Sequence, residues 1–323
     1  MRPQPSQLLP AILVGSLVLA ACGSDDDSSA DEESADTAAE TADTAAEETA
    51  DTAAEETADT TADTAAEGDG ASADEACSNT IEDGVLTVAT GEPAFFPWVI
   101  DDDPTTGEGF EAAVAYAVAA EMGYEGDAVE WTRTTFDGAI QPGAKDFDVN
   151  LQQFSITDER SETIDFSLPY YTSNQAIVAL EGSAAEGATS IADLQDVKFG
   201  AQAGTTSLEF INDVIQPSQE AFVYDDNVGA KAALDANQID AAVFDLPTAL
   251  YVSAVEIEGS SVIGQFPAES GGTTDQFGMV LEKDSALTPC VDAAIQAITD
   301  DGTLDALTQE WLSDTTGAPV IAE

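Results

Sequence analysis

The segment from residue 23 to residue 76 cannot contribute to a hydrophobic core. It consists almost entirely of Ala, Thr, Asp, Glu, Ser and Gly, with 20 acidic residues, no basic residue and no large apolar side chain. Units like residues 41–48 recur along it, but they offer nothing apolar for neighbouring repeats to stack on. We therefore expect an extended acidic linker, and a fold confined to residues 77–323.

The charge and composition of the chain exclude several classes of function. The chain has 64 acidic and 7 basic residues, a formal net charge of -57, and no histidine. It lacks the basic clusters that bind nucleic-acid phosphates, so no nucleic-acid partner is expected. The lack of histidine excludes Ser-His-Asp and Cys-His catalysis and His-ligated zinc. Three cysteines are too few for a thiolate cluster, and no metal or other cofactor is expected.

Residues 1–21 have the form of an export signal. The apolar run 8–20 is shorter than the span of about 20 residues that a membrane-crossing helix needs. It ends in Leu-Ala-Ala-Cys at residues 19–22, which is similar to the lipobox of bacterial lipoproteins. This similarity implies cleavage before Cys22 and lipidation of its thiol, which would anchor the protein to the outer face of the cytoplasmic membrane. An ordinary secretory signal is the alternative.

The segment 77–323 is itself strongly acidic. It keeps 44 acidic and six basic residues, which is a net charge near −38. A folded body with this charge repels itself unless salt screens the charges. The composition therefore indicates a salt-adapted protein.

Strand and helix patterns alternate through this body. Short apolar or alternating runs predict strands at 85–89, 147–151, 175–180, 197–201, 241–244 and 277–281. Helical spacing of apolar residues predicts helices at 110–122, from 206 onwards, at 291–298 and at 304–311. The alternation predicts an α/β fold, and about 240 residues favour two lobes over one.

Several short motifs occur in a fixed order along the body. The longest is Ser-Ile-Thr-Asp-Glu-Arg at residues 155–160, continued by the segment 164–171. The others are 109–111, 136–140, 147–149, 204–206, 239–242, 277–279, 301–304 and 311–312. Together these motifs resemble family 3 of the extracellular solute-binding proteins, the amino-acid receptors of ABC importers. The resemblance spans about residues 80–315.

The resemblance implies a two-lobe, periplasmic-binding-protein-like fold of type II with a hinge of two crossing strands. Lobe one would hold residues 77–173 and 274–323, and lobe two residues 174–273. The crossings would fall near 171–175 and 271–275. Such a protein captures an amino acid or a similar small zwitterion in the cleft, delivers it to an ABC permease in the membrane, and acts as a monomer.

Two charged residues match the parts of the family that hold the ends of the ligand backbone. Arg160 matches the arginine that grips the ligand carboxylate, for which a planar guanidinium is suited. A surface ion pair with an acid of the segment 158–162 is the alternative. Asp245 follows a predicted strand, where open α/β sheets place ligand groups, and it matches the acid that binds the α-ammonium.

A loop before a predicted helix adds to Arg160 and Asp245, and together they form a clamp for the ligand backbone. Thr206 is predicted to begin the helix, with Glu209 completing a capping box. A helix start presents unpaired N–H groups to an anion, and Gly204 allows a close backbone approach. The resemblance assigns the N–H groups of this loop, and Ser155, to the ligand carboxylate.

The resemblance also assigns positions around the ligand side chain. Phe136 and Phe95 match aromatic positions that sandwich it, whereas Phe96 and Trp98 are core candidates. Gln153 stands where several relatives carry a small residue, and it would narrow and polarise the pocket.

Two charged residues leave the identity of the ligand side chain open. Glu92 lies where some relatives carry an Asp that meets a cationic or amide side chain. Arg133 has no firm counterpart, and either an ion pair with Glu130 or an acidic ligand would explain it.

Cys77 and Cys290 are the only cysteines besides Cys22. The lobe assignment that the resemblance implies puts both in lobe one, and an extracytoplasmic compartment is oxidising. We therefore expect a disulfide between them.

Other functions are compatible with the same fold. Some relatives are cyclohexadienyl dehydratases, in which a cleft acid protonates a leaving hydroxyl, and Glu92 or Asp245 could be that acid. The amino-acid clamp of Arg, Thr and Asp favours binding without catalysis. A sensor for a separate signalling partner and a purely structural surface lipoprotein are further alternatives.

Overall fold

The computed structural model describes residues 77–267, 274–312 and 318–321. The strands are β1 (Leu86–Gly91), β2 (Val129–Thr134), β3 (Val149–Asn150), β4 (Ile164–Leu180), β5 (Phe199–Gln202), β6 (Phe222–Tyr224), β7 (Ala241–Asp245), β8 (Ser260–Phe266) and β9 (Thr274–Glu282). The α-helices are α1 (Phe110–Glu121), α2 (Phe136–Ile140), α3 (Asp158–Ser161), α4 (Thr206–Phe210), α5 (Asn227–Asp235), α6 (Leu246–Tyr251), α7 (Thr288–Asp300) and α8 (Thr303–Leu312). Two of them continue as π-helical turns, α4 into Ile211–Ile215 and α6 into Val252–Glu256. The predicted α/β architecture is confirmed.

One long strand, β4, takes part in two groups of strands. Its first part, up to Asn174, pairs antiparallel with β9, and the order continues through β3 and β1 to β2. Its second part, from Gln175, lies between β7 and β8, and β7 continues to β5 and β6. The change of partners falls at the junction of Asn174 and Gln175. This junction lies within the predicted crossing region 171–175.

Each group of strands has its own hydrophobic core. The first core contains Trp98 and Phe110 packed against β9 and α7. The second group is covered on both faces, by α4 and its π-helical turn on one side and by α5 and α6 on the other. Parallel pairing of β1 with β2 and β3, and of β5 with β6 and β7, puts the carboxyl ends of these strands at the edges that face the cavity described below.

Local sequence patterns account for most of these elements. In α1 the buried residues Phe110, Val114 and Val118 recur at helical spacing, and the helix ends before Gly123, whose φ is 89°. The strand predicted at 147–151 is only two residues long, Val149–Asn150. In the described part of the chain no helix combines the length and the apolar character that crossing a membrane would require.

The last described segment, residues 318–321, lies with the second group of strands. Gln265 of β8 exchanges backbone hydrogen bonds with Pro319 at 2.7 Å and with Ile321 at 3.1 Å. Ile321 is buried in the second core, against Gly264, where any Cβ would collide with it. The assignment of the whole range 274–323 to lobe one is therefore wrong for this segment.

A disulfide joins Cys77 to Cys290, as expected, with the two Cα atoms 5.2 Å apart. Cys290 is buried on α7, and the carbonyl of Cys77 accepts a hydrogen bond of 2.7 Å from the Tyr124 hydroxyl. The bridge fastens the start of the described chain to the first core. The predicted signal (1–21), the lipidation site Cys22 and the acidic linker 22–76 lie outside the described residues.

Candidate functional site

A cavity of about 230 Å³ lies between the two groups of strands. One wall is built by residues 90–95, 98 and 99, by Glu111 at the start of α1, and by residues 134–136, 152, 153, 155 and 160. The other wall is built by Gln175, Gln202, and the segments 205–207, 225–227 and 244–245. Among the predicted site residues, the lining includes Arg160, Asp245, Thr206, Ser155, Phe136, Phe95, Gln153 and Glu92.

Arg160 is a buried guanidinium on the short helix α3. The hydroxyl of Thr157 accepts the backbone N–H of Arg160 at 3.2 Å, which caps the helix and fixes where the side chain starts. Its Nη1 donates to the Ser155 carbonyl at 2.7 Å and its Nη2 donates to the Gly204 carbonyl at 2.8 Å. Only 8% of the residue is exposed. Among the described residues it forms no ion pair, so the alternative of a surface pair with a neighbouring acid is wrong.

Burial and nearby carboxylates shift the pKa of Arg160 in opposite directions. Burial lowers the pKa of Arg160, and the carboxylates of Glu209 and Asp275 act against that shift. The ring of Phe136 lies below the guanidinium, with its centroid 5.5 Å from Cζ. The cation is thus held by neutral carbonyls and an aromatic face, and its charge is not cancelled by a bonded carboxylate.

The capping box predicted at Thr206 and Glu209 is wrong, because the helix α4 is capped one residue earlier. Thr205 has an extended backbone and accepts the N–H of Leu208 at 3.2 Å, so Thr206 is the first helical residue. The hydroxyl of Thr206 is therefore available for other partners. It lies 3.2 Å from the Ser155 hydroxyl, which joins the two walls of the cavity.

Gly204 does not line the cavity but lies behind Arg160, to which it offers its carbonyl. Its φ is 69°, and a Cβ at this position would lie 2.7 Å from Oδ1 of Asp137. Both the left-handed backbone and the close approach require glycine here.

Asp245 ends β7 and at the same time caps α6. Its Oδ1 accepts the backbone N–H of Thr248 at 2.9 Å. Burial raises the pKa of Asp245 to about 6, the hydrogen bonds from Thr248 oppose this shift, and the negative charge of Asp275 adds to it. A carboxylate in this setting gains from a nearby cation.

The aromatic residues divide between the cavity and the core. Phe136 lines the cavity and stacks on Phe154 with ring centroids 4.7 Å apart. Trp98 is buried as predicted for a core residue, and its Nε1 donates to the hydroxyl of Thr248 on α6 at 2.9 Å. The other core candidate, Phe96, is not in the core: it is 38% exposed and packs on Tyr251 with ring centroids 4.2 Å apart.

Phe95 and Glu92 line the cavity, whereas Arg133 does not. Phe95 faces Lys231 of α5, whose Nζ is 4.4 Å from the ring centroid. Glu92 is exposed. Arg133 forms its ion pair with Asp102 and not with Glu130, and it does not reach into the cavity. Its Nη1 donates to Asp102 and to the Gly91 carbonyl, each at 2.6 Å. Arg133 therefore stabilises the loop that carries Glu92 and Phe95.

Sequence reasoning missed several polar residues of the cavity. They are Glu111, Thr135, Gln152, Gln175, Gln202, Ser207, Asp225, Asp226 and Asn227. Gln175 opens the apolar run of β4, and its amide donates to Thr206 at 3.2 Å and to Asp275 at 2.6 Å. A polar residue at the start of a buried strand is a sequence signal from which Gln175 could have been predicted. Within the described ranges no cluster of His, Cys, Asp and Glu is arranged to hold a metal ion.

Comparisons with known proteins agree with this architecture. The model of the bacterial extracellular solute-binding proteins, family 3, matches residues 86–314. The L-cystine-binding protein TcyJ of Escherichia coli strain K12 is 30% identical over 243 residues, which cover 74% of this chain and 87% of TcyJ. This chain therefore belongs to the bacterial extracellular solute-binding proteins, family 3.

Solved structures extend the likeness to three dimensions. An ancestral arginine-binding protein bound to arginine superposes with a TM-score of 0.60 at 29% identity, covering 71% of this chain and 98% of that chain. The ancestral amino acid-binding protein AncCDT-1, a precursor of cyclohexadienyl dehydratase, superposes with a TM-score of 0.57 at 29% identity, covering 71% and 95%. The two-lobe, type II binding-protein fold is confirmed by these neighbours.

Proposed function

We propose that this protein is the amino-acid receptor of an ABC importer and holds its ligand in the cavity between the two groups of strands. The observation that carries the proposal is that a buried cation without a bonded carboxylate and a separate carboxylate line one small cavity. Arg160 uses two N–H donors on protein carbonyls, and a guanidinium has five. Asp245 lines the same cavity with a raised pKa.

This arrangement suits the backbone of an α-amino acid. The guanidinium offers a planar fork to the ligand carboxylate, and Ser155 and Thr206 add hydroxyl donors from opposite walls. Asp245 offers a carboxylate to the ligand ammonium. Because the two charged groups come from different groups of strands, a bound zwitterion would hold the two lobes together.

The ligand side chain is cationic or uncharged rather than acidic. Among the described residues that line the cavity, Arg160 is the only basic one, whereas five carboxylic acids line it. Arg160 is committed to the ligand backbone, so an acidic side chain would meet like charges without a cation. Phe136 and Phe95 line the cavity and give the apolar part of the side chain an aromatic surface to contact.

The family and the N-terminal sequence support a proposal for the setting of the receptor. The protein acts outside the cytoplasm, is tethered by lipid on Cys22 through the acidic linker, and works as a monomer. It delivers its ligand to the permease subunits of the importer. Loading would close lobe two, residues 174–273 together with 318–321, onto lobe one, and the permease would recognise the closed form.

A dehydratase activity is a second candidate, favoured by two cavity acids. Burial raises the pKa of Glu111 to about 7 and that of Asp245 to about 6. Such groups can donate a proton at neutral pH. Incubation of the protein with prephenate and with arogenate tests this candidate, with turnover followed by absorbance. Turnover by the wild type that is lost in Asp245→Asn would favour an enzyme over pure binding.

A thermal-shift screen of the twenty amino acids, in molar salt, tests the receptor function. A ligand at 100 times its Kd should add about 2.7 kcal/mol to the free energy of unfolding. Arg160→Met is the matched control, because it keeps an apolar stem of similar length and loses the guanidinium. Stabilisation of the wild type that the control lacks supports the proposal. No stabilisation by any amino acid would refute it.

A further inference from the structure

Glu111 is a buried carboxylate in the wall of the cavity. It is the second residue of α1, and only 1% of it is exposed. Its Oε1 accepts the backbone N–H of Gln153 at 2.8 Å and the hydroxyl of Tyr170 at 2.5 Å. Its Oε2 accepts the side-chain amide of Gln153 at 2.5 Å. Two of the three hydrogen bonds therefore hold one residue, Gln153.

Gln153 has a backbone conformation that L-residues rarely adopt. Its φ is 52°, in the left-handed region. The chain before and after it is tied to different strands: two residues earlier the N–H of Leu151 donates to β1 at 3.1 Å, and one residue later the carbonyl of Phe154 accepts from β9 at 3.0 Å. Residue 153 is thus the point at which the chain passes from one strand to the other, and Glu111 bonds both its backbone and its side chain.

The segment 152–155 carries the groups that orient the proposed clamp. The amide of Gln152 donates to Thr134 at 2.7 Å. The carbonyl of Ser155 accepts Nη1 of Arg160 at 2.7 Å, and its hydroxyl lies 3.2 Å from that of Thr206. A change of backbone at residue 153 would therefore move Ser155 and, through it, the guanidinium.

We propose that Glu111 is a positioning residue of the binding site, which acts through Gln153 to fix the segment 152–155 and so the orientation of Arg160. This inference rests on the proposed function, because it assigns a role within the same site. Glu111 is not required to touch the ligand.

The cost of burying this acid argues against a purely structural role. An ionised carboxylate loses its hydration when buried, and an apolar side chain would fill the same space without that loss. Burial raises the pKa of Glu111 to about 7. The titratable groups that act on it are Tyr170 of β4, which donates to it, and Asp245 at the end of β7, whose charge raises its pKa further. A buried carboxylate that costs stability in this way is expected where it contributes to the binding site.

Two conservative variants distinguish the effect of side-chain length on binding from the effect of side-chain charge. Glu111→Gln keeps the length and loses the charge. Its oxygen can accept from Tyr170 and from the Gln153 N–H, and its NH₂ can donate to the Gln153 amide once that amide turns over. Glu111→Asp keeps the charge but is one methylene shorter, so it cannot reach both groups of Gln153. Tyr170→Phe is the matched control, since it removes the third hydrogen bond and leaves Gln153 untouched.

Calorimetric titration of the full protein, with the best amino acid from the screen and at pH 8.5, gives the affinities. We expect Kd to rise about tenfold in Glu111→Asp and to stay within about threefold of wild type in Glu111→Gln and Tyr170→Phe. Melting temperatures of the free proteins show that each variant is folded.

The outcomes are distinguishable. Wild-type affinity in Glu111→Asp, or equal losses in the Asp and Gln variants, would overturn the positioning role and leave the proposed function standing. If the Asp variant does not fold, Gln153→Gly replaces it, because glycine adopts the left-handed backbone without side-chain anchoring. Glu111→Ala, which removes both hydrogen bonds to Gln153, should raise Kd less in that background than in the wild type, and an equal rise in both backgrounds would overturn the inference. A wild-type protein that binds no amino acid refutes the proposed function instead.

Discussion

Acidification should weaken ligand binding through Asp245. In the free protein, burial raises the pKa of this carboxyl to about 6, with Asp275 adding to the shift. A ligand ammonium beside Asp245 favours its ionised form and lowers that pKa. The complex then holds fewer protons than the free protein, so ligand binding releases a proton. By linkage, affinity falls as the pH falls through about 6.

The size of the effect follows from the fraction of Asp245 that is ionised. With a free-protein pKa of about 6, Kd should be within about 10% of its plateau at pH 7, about twofold weaker at pH 6 and about tenfold weaker at pH 5. The whole tenfold change from the plateau to pH 5 corresponds to about 1.4 kcal/mol of binding free energy. Arg160 keeps its charge throughout this range, because arginine does not titrate there.

Isothermal titration calorimetry at constant molar salt measures this dependence. Titrations at pH 6 in two buffers with different ionisation enthalpies give the number of protons released, which should be about one half at this pH. Asp245→Asn is the control: it should bind about 2–5 kcal/mol more weakly and lose the pH dependence near 6.

Two results would refute this reasoning. The first is a wild-type Kd that does not change between pH 5 and pH 8. The second is an Asp245→Asn variant as steeply pH-dependent as the wild type, which would assign the proton to another group such as Glu111, whose pKa is raised to about 7.

Three further predictions concern the clamp, the disulfide and the charge of the body. Arg160→Lys keeps the charge but loses the planar fork, so calorimetry should show Kd at least about tenfold higher, and unchanged affinity would contradict the assigned role. Cys77→Ser combined with Cys290→Ala should lower the free energy of unfolding by up to about 5 kcal/mol, measured by denaturant titration in molar salt, and equal stability would argue against the bridge. The melting temperature should fall between molar salt and dilute buffer because screening weakens, and a constant value would show that the net charge near −38 is not a source of instability.

Parts of the site could be predicted because they depend on local pattern. The apolar run before Asp245 predicts a strand, and the residue after such a strand lies at the carboxyl edge of the sheet, which is where the structure has it. The helix α1 follows from the spacing of Phe110, Val114 and Val118. These features need no knowledge of what packs against them.

Other parts could not be predicted because they depend on distant contacts. Glu111 lies beside the apolar face of α1, and it is buried because Tyr170 and Gln153 cover the start of the helix. The partner of Arg133 is Asp102, 31 positions away. The helix cap falls on Thr205 rather than Thr206 because the chain is still extended at Thr205, and two adjacent threonines give the sequence no means of choosing.

The surroundings of Arg160 explain how a strongly acidic body can keep a cation ready for a ligand. In such a body a guanidinium is expected to collect carboxylates, and four acids are close enough to raise its pKa, namely Glu209, Asp275, Glu159 and Asp137. Within the described chain none of them bonds it, because the carbonyls of Ser155 and Gly204 hold its two Nη atoms. Carbonyls accept these hydrogen bonds without cancelling the positive charge, so a ligand carboxylate need not displace a carboxylate of the protein. Since buried charges are screened by salt much less than surface charges, the salt that would relieve repulsion on the outside should weaken this site little.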